Sequence, residues 1–204
     1  MQRLSQEELQ TKYNEWWNNL TEYTHHLYTQ IMTYESEYFS DLLLKSPEVA
    51  KYLEVLDANK EPIDFFYDFN LSLDAQLYTF HVDALQDCIG VHDSSNRTIT
   101  IDTEYLNSKE VILHEMVHAY ENILDECGIP FIKEFIFIEL YKYLQQQDID
   151  IDGRILAHSN MLSGIDISSR GKHGVFFLLK TIELDIKCNL PLGTICGYDR
   201  ELYK

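Results

Sequence analysis

An α+β fold is what this sequence predicts: a small sheet, one long helix packed behind it, and further helices around both. Three observations carry that expectation. Only 8 Gly and 4 Pro are spread over 204 residues, too few breakers for a loop-dominated or all-β chain. The stretch RTITID, Arg97–Asp102, alternates Thr and Ile with the period of two of a half-buried strand, directly after the turn cluster DSSN, Asp93–Asn96. In VILHEMVHAY, Val111–Tyr120, and on to Leu124, apolar residues recur with helical period.

The elements follow in chain order. Ser5 to about Tyr38 reads as one helix, because SQEEL supplies an N-cap serine with acids in the first turn and no Gly or Pro interrupts the run. Its aromatics, Trp16, Trp17, Tyr23, Tyr28, Tyr34 and Tyr38, read as packing groups. A second helix starts at Ser46-Pro47-Glu48, with proline in the first helical position, and runs to Val55 or Leu56. DANKEP, Asp57–Pro62, is a loop, and Pro62–Leu73 has no clear pattern. Ala84–His92 reads as one strand that forms a hairpin with Arg97–Asp102.

Ser108 caps the next helix, which Gly128 and Pro130 end. Another helix covers about Phe131–Gln146. DIDIDGR, Asp148–Arg154, reads as a loop or short strand, Ile155–Ser169 is ambiguous, and the last helix covers Val175–Lys187, stopped by Asn189 and Pro191. There is no internal repeat and no flexible linker, so one domain is expected over 1–204.

Composition narrows the function classes. Hydrophobic residues make up 45% and charged residues 25%, and 14 Tyr and 10 Phe supply bulky core material, so the chain is a folded globular one. The formal net charge is −18, from 34 Asp+Glu against 16 Lys+Arg. No basic patch is available to neutralise phosphates, which argues against nucleic acid and against an anionic membrane surface. A basic peptide or protein is the electrostatic match for such a chain. Cys88, Cys127, Cys188 and Cys196 form no C-x-x-C pair, so reduced thiols are expected. The opening MQRLSQEELQTKYNEWW lacks the apolar stretch of a signal peptide, and no run of about 18 apolar residues exists to span a membrane. The expected location is the cytoplasm.

Chemistry concentrates in HEMVH, His114–His118. Residues four apart on a helix lie on one face, so His114 and His118 can present two imidazoles to one metal ion at about 2.0–2.1 Å. Glu115 projects beside that pair, within reach of a proton on an attacking water. This is the H-E-x-x-H arrangement of zinc peptidases. A catalytic zinc takes a third protein ligand and keeps one position open. His25, His26, His81, His92, His158 and His173 are available, as are Glu121, Glu126, Glu134, Glu139 and Glu183, and spacing alone does not choose among them.

The block VHDSSNRTITIDTEYLNSKEVILHEMVHAY, Val91–Tyr120, resembles the core of the SprT-like (Spartan-type) zinc metallopeptidases, in which an I-x-I-like strand is followed by a helix bearing L-H-E-x-x-H-A. That family takes its third ligand from a G-H-G-x-x-F-like motif, and GKHGVFF, Gly171–Phe177, is similar to it: His173 falls at the ligand, Gly174 at the next glycine and Phe177 at the aromatic. The resemblance implies a zincin-like fold, a zinc ion held by His114, His118 and His173, and Glu115 as general base in the hydrolysis of a peptide or protein substrate. It also implies a metallopeptidase core over 84–190 with a helical N-terminal extension over 1–60. Neither a cysteine-rich ribbon nor a basic surface accompanies the motif, so the family's link to DNA–protein crosslink repair does not carry over. A non-catalytic zincin-like module that binds a partner protein, with zinc structural or absent, is the alternative.

The strand Thr98–Ile101, if it lies at the sheet edge beside the motif helix, can pair with an extended peptide. Two weaker signals remain. DIDIDG, Asp148–Gly153, matches the opening of an EF-hand calcium loop, but position 12 is Ser159, not glutamate. GTICGYD, Gly193–Asp199, resembles a motif of aspartate-type zincins, with Cys196 where the ligand aspartate belongs.

Overall fold

A computed structural model describes residues 11, 14, 17, 18, 20–39, 47–59, 71–127, 131–163 and 173–197. The molecule is α+β, with six helices of eight or more residues and a three-stranded mixed sheet among the described residues. In chain order the elements are α1 (Glu22–Tyr34), α2 (Pro47–Leu56), β1 (Thr79–Asp83), β2 (Gly90–Asp93), β3 (Thr98–Asp102), α3 (Lys109–Glu126), α4 (Ile132–Gln146), α5 (Ile151–Ser163) and α6 (Val175–Lys187).

The sheet order is β1-β3-β2, with β1 parallel and β2 antiparallel to β3. The hairpin expected around Asp93–Asn96 is present, and the Asp93 carboxylate accepts the N–H groups of Ser95 and Asn96 at 2.9 and 3.2 Å. The expected strand over Ala84–His92 is corrected. Only Gly90–Asp93 is strand, because Ala84–Ile89 must carry the chain from one flank of β3 to the other. Asp102 holds that crossing: its carboxylate accepts the Leu85 N–H at 2.7 Å and its own N–H donates to the Ile89 carbonyl at 3.0 Å. The missed strand is β1, whose alternation of Phe80 and Val82 with Thr79, His81 and Asp83 turns one face inward.

β3 lies in the middle, so Thr98–Ile101 is an interior strand and the edge role does not fall to it. Its Ile99 and Ile101 are fully buried, as a strand flanked on both sides requires. The edge beside α3 is β2. Val91 and Asp93 face β3 partners in the hydrogen-bonded phase of the ladder, so the peptide groups of Gly90 and His92 are directed at the open side.

The helices account for most of the core. In α3, Ile112, Leu113, Met116, Val117 and Ala119 are buried against the sheet and α6. The Ser108 hydroxyl caps α3 by accepting the Val111 N–H. On α4, Ile132, Ile136, Leu140 and Leu144 form a one-face stripe at helical spacing. α6 is buried from Phe176 to Asp185 and packs on α3, α4 and α5. Burying so long a stretch traps charge within it: Lys180 is paired with Glu183 at 2.5 Å and donates to the Tyr38 carbonyl at 2.7 Å.

Two further expectations change. The single helix over Ser5–Tyr38 is broken at Leu20–Thr21, where Thr21 turns extended and its hydroxyl caps α1 by accepting the Thr24 N–H at 3.2 Å. Residues 1–10 lie outside the described residues. α1 then runs into a π-helical turn, Glu35–Phe39, which brings both Glu35 and Phe39 into the core. DIDIDGR is not a loop or strand throughout: α5 begins at Ile151, and the Asp150 carboxylate accepts the Gly153 N–H at 3.0 Å as a cap. Helical backbone from Ile151 onward does not wrap a cation as an EF-hand loop does.

α1 is part of the same core as the sheet. Leu27, Tyr28 and Ile31 are buried, and the Tyr28 ring meets Phe80 of β1 at 4.4 Å. Trp17 packs edge-on to Tyr28 at 5.8 Å, as expected of a packing group, while Trp16 lies outside the described residues. All four cysteines are free thiols, and no described helix is long and apolar enough to cross a membrane.

Glu35 offers a test of this packing. Its carboxylate accepts the Leu73 N–H at 2.7 Å and the Tyr120 hydroxyl. Burial raises its pKa above the ordinary carboxylate value, although both hydrogen bonds pull the other way. A carboxyl that holds its proton more tightly folded than unfolded contributes stability below its unfolded pKa and loses it as pH rises through the folded value. Glu35→Gln cannot ionise. Its stability relative to wild type is therefore expected to improve as pH rises from about 4 to about 8. Urea denaturation across that range checks it, and a difference independent of pH would contradict the assignment.

Candidate metal centre

α3 places His114 and His118 one turn apart on the face that looks past β2 into a cleft. Their ring centroids are 5.1 Å apart. His173 comes from the segment just before α6, with Gly174 at the N-cap. Its ring lies 5.2 Å from that of His114 and 4.9 Å from that of His118. One nitrogen from each of the three lies within 4.8 Å of the others.

Two of the ring nitrogens, His114 Nε2 and His173 Nε2, lie 3.4 Å apart. Two nitrogens each about 2.0–2.1 Å from one zinc, at the tetrahedral angle, lie about 3.3–3.4 Å apart. The pair is thus spaced as the edge of a zinc tetrahedron. The protonation of His114 agrees. Its Nδ1 meets the Ile195 carbonyl at 2.7 Å, and a carbonyl only accepts, so Nδ1 carries the hydrogen and Nε2 presents a lone pair. Burial also lowers the pKa of His114, against the opposing pull of that carbonyl, which favours the neutral ring a metal ligand must be. The residues present therefore fit a divalent ion that accepts three imidazoles.

Phe177, fully buried on α6, forms the floor. Its ring centroid lies 4.4 Å from that of His118, 4.5 Å from His173 and 4.9 Å from His114. His158 stands behind the third histidine, its Nε2–H donating to the His173 carbonyl at 2.8 Å. It supports the main chain of His173 and is not in the cluster.

Most other candidates for a third ligand are engaged or exposed elsewhere, and two, Glu121 and His92, line the cleft outside the cluster. His25 bonds the Trp17 carbonyl, His26 bonds Asn107, and His81 is exposed on β1. Glu126 pairs with Arg97, Glu139 with Lys142 and Glu183 with Lys180 and Lys187, while Glu134 is exposed on α4. Glu121 lines the cleft but pairs with Lys133 at 3.1 Å, and burial holds its carboxyl above the ordinary range against that lysine's pull. His92 on β2 lies parallel to His118 at 6.1 Å and shares a 3.1 Å hydrogen bond with the Tyr78 hydroxyl.

Glu115 is 6% exposed and lies against β2. A Cβ at Gly90 would meet Glu115 Oε1 at 2.9 Å and Val111 Cγ1 at 3.0 Å, so glycine there makes room for the carboxylate. Two recesses meet at this point. One, about 560 Å3, runs from the histidines past Glu121 and Asp125; the other, about 420 Å3, runs past Asp87 and Glu110. Both are lined by Gly90, His114 and Glu115, and no described N-terminal residue lines either.

Sequence reasoning missed two parts of this site, the Ile195 carbonyl and the support from His158. The GTICGYD motif gave no signal for this contact: what the segment contributes is the main-chain carbonyl of Ile195, which any residue type would supply. Comparison with known proteins finds no matching family model, no matching curated protein and no matching solved structure.

Proposed function

We propose that the protein is a zinc-dependent metallopeptidase of the SprT-like, zincin-like type, with His114, His118 and His173 as ligands and Glu115 as general base. The observation that carries the reading is the 3.4 Å Nε2–Nε2 spacing of His114 and His173, with His118 completing the trio and the Glu115 carboxylate beside it at the junction of two recesses. When bound, zinc supplies Lewis acidity for a carbonyl and for a water. Glu115 takes the proton of the attacking water and delivers it to the leaving amine. The outward peptide groups of Gly90 and His92 on the β2 edge hold an extended substrate by main-chain pairing, independent of its sequence. Asp87 and Glu110 along the second recess, together with the net charge of −18, favour a basic peptide or protein, whereas Glu121 and Asp125 on the first are already paired with Lys133.

The direct test is cleavage of lysine- and arginine-rich peptides by zinc-loaded protein, with a chelator-treated sample beside it. Cleavage is expected only with zinc. A wild type that binds zinc yet cleaves no peptide in a broad library would point to the non-catalytic binding module instead.

Gly90→Ala is a sharper probe of the base. The added methyl must displace Glu115 or Val111. A shift of about 1 Å in a catalytic group costs about 100-fold in rate. Turnover is expected to fall by about that factor while zinc content stays at the wild-type level. Equal loss of both would mean that Gly90 serves the fold and not Glu115.

A further inference from the structure

The C-terminal loop that reaches His114 is held from beneath by a buried carboxylate. Asp185 on α6 is 0% exposed. One of its oxygens accepts the Gly193 N–H at 2.7 Å and the other accepts the Ile195 N–H at 3.0 Å. The Asp185 carbonyl accepts the Leu190 N–H at 2.8 Å. The loop between turns back on itself through Gly193 at φ +88° and Gly197 at φ +73°, both left-handed. Ile195 is thereby fixed with its N–H on Asp185 and its carbonyl on His114 Nδ1, at 2.7 Å.

We propose that Asp185 is a positioning residue for the metal centre: by clamping the loop through Gly193 and Ile195 it aims the Ile195 carbonyl at His114 and so selects the tautomer whose Nε2 is bare. Which nitrogen of a histidine carries the hydrogen is set by the bond the other one makes. Remove the carbonyl, and nothing else described at Nδ1 makes that choice. The arrangement gives α6 two duties. Its N-terminal end follows directly on His173, and its last turns carry the carboxylate that orients His114. Outer partners of this kind set ligand orientation in metal sites. The metal half of this inference rests on the zinc reading above; the tautomer half does not.

The experiment is two measurements on the full chain. The first is long-range 1H–15N correlation NMR of uniformly labelled, metal-free protein, which reports the tautomer of His114 directly. Wild type is expected as Nδ1–H. Asp185→Asn keeps one acceptor but sets an amide NH2 against the other N–H donor, and is expected to give a mixture of tautomers. The second is titration with cobalt(II) alone, where Asp185→Asn is expected to bind at least about tenfold more weakly than wild type. Thr181→Val serves as the structural control. It removes a buried bond of the same helix, the Thr181 hydroxyl to the Leu178 carbonyl at 2.9 Å, and is expected to lower the melting temperature without changing the tautomer.

Wild-type His114 found as Nε2–H overturns the proposal with no variant needed, so a failure of Asp185→Asn to fold does not shield it. A folded Asp185→Asn protein with wild-type tautomer and cobalt affinity overturns it as well. Wild type that shows Nδ1–H and Asp185→Asn that shows a mixture, with no cobalt or zinc taken up by wild type, would retire the metal reading while supporting the Asp185–Ile195–His114 chain.

Discussion

His173→Ala is expected to abolish metal binding at stoichiometric zinc. Wild type should carry one zinc per chain by elemental analysis, and the variant close to none. Loss of a supporting partner in a metal site costs about 10- to 100-fold in affinity, and loss of a ligand costs more, so a drop of at least about 100-fold is expected. Heat denaturation gives an independent readout. Zinc at a thousand times its Kd stabilises the state that binds it by about 4 kcal/mol, so added zinc should raise the wild-type melting temperature and leave that of His173→Ala where it was. The alanine leaves the N-cap Gly174 and the His158 bond to the main-chain carbonyl of residue 173 available. The metal-free fold should therefore survive the change. Zinc retained at wild-type affinity would mean that the His114–His173 spacing is a packing contact over Phe177, and the search for the third ligand would move to Glu121 and His92 on the cleft wall.

Glu115→Gln is expected to separate binding from chemistry. Glutamine has nearly the shape of glutamate and fits the space Gly90 leaves, but it cannot take a proton from water. Zinc content should match wild type. Turnover should fall by about 100- to 10,000-fold, the range general base catalysis supplies, with KM little changed because the variant leaves the proposed main-chain pairing with β2 untouched. Wild-type turnover in this variant would remove Glu115 from the mechanism. Loss of zinc along with activity would show the carboxylate to be part of the metal's coordination instead.

Much of the scaffold was readable from short-range pattern. The bounds of α2 and α6, the Ser108 cap of α3 and the β2–β3 turn all follow from neighbours within a few residues. The stretch YTFHVD carries the same kind of signal for β1, weaker than that of the more regular TITID. The break at Thr21 is a local threonine cap of the same kind. The π turn at Glu35–Phe39 was not readable in that way: it brings Glu35 and Phe39 to Leu73 and Tyr120, partners far along the chain.

The site divides along the same line. By itself the sequence determined that His114 and His118 share a helix face with Glu115 beside them, since a four-residue spacing on a helix leaves no other arrangement. Tertiary structure alone decided the rest. It made β2 and not β3 the open edge, brought His173 to His114, set His158 behind it, and turned the Asp185 carboxylate into an anchor for the Ile195 carbonyl. Each of those contacts joins elements distant in sequence, and their distances depend on how α3, α6 and the sheet bury their apolar faces together, a condition no local spacing encodes.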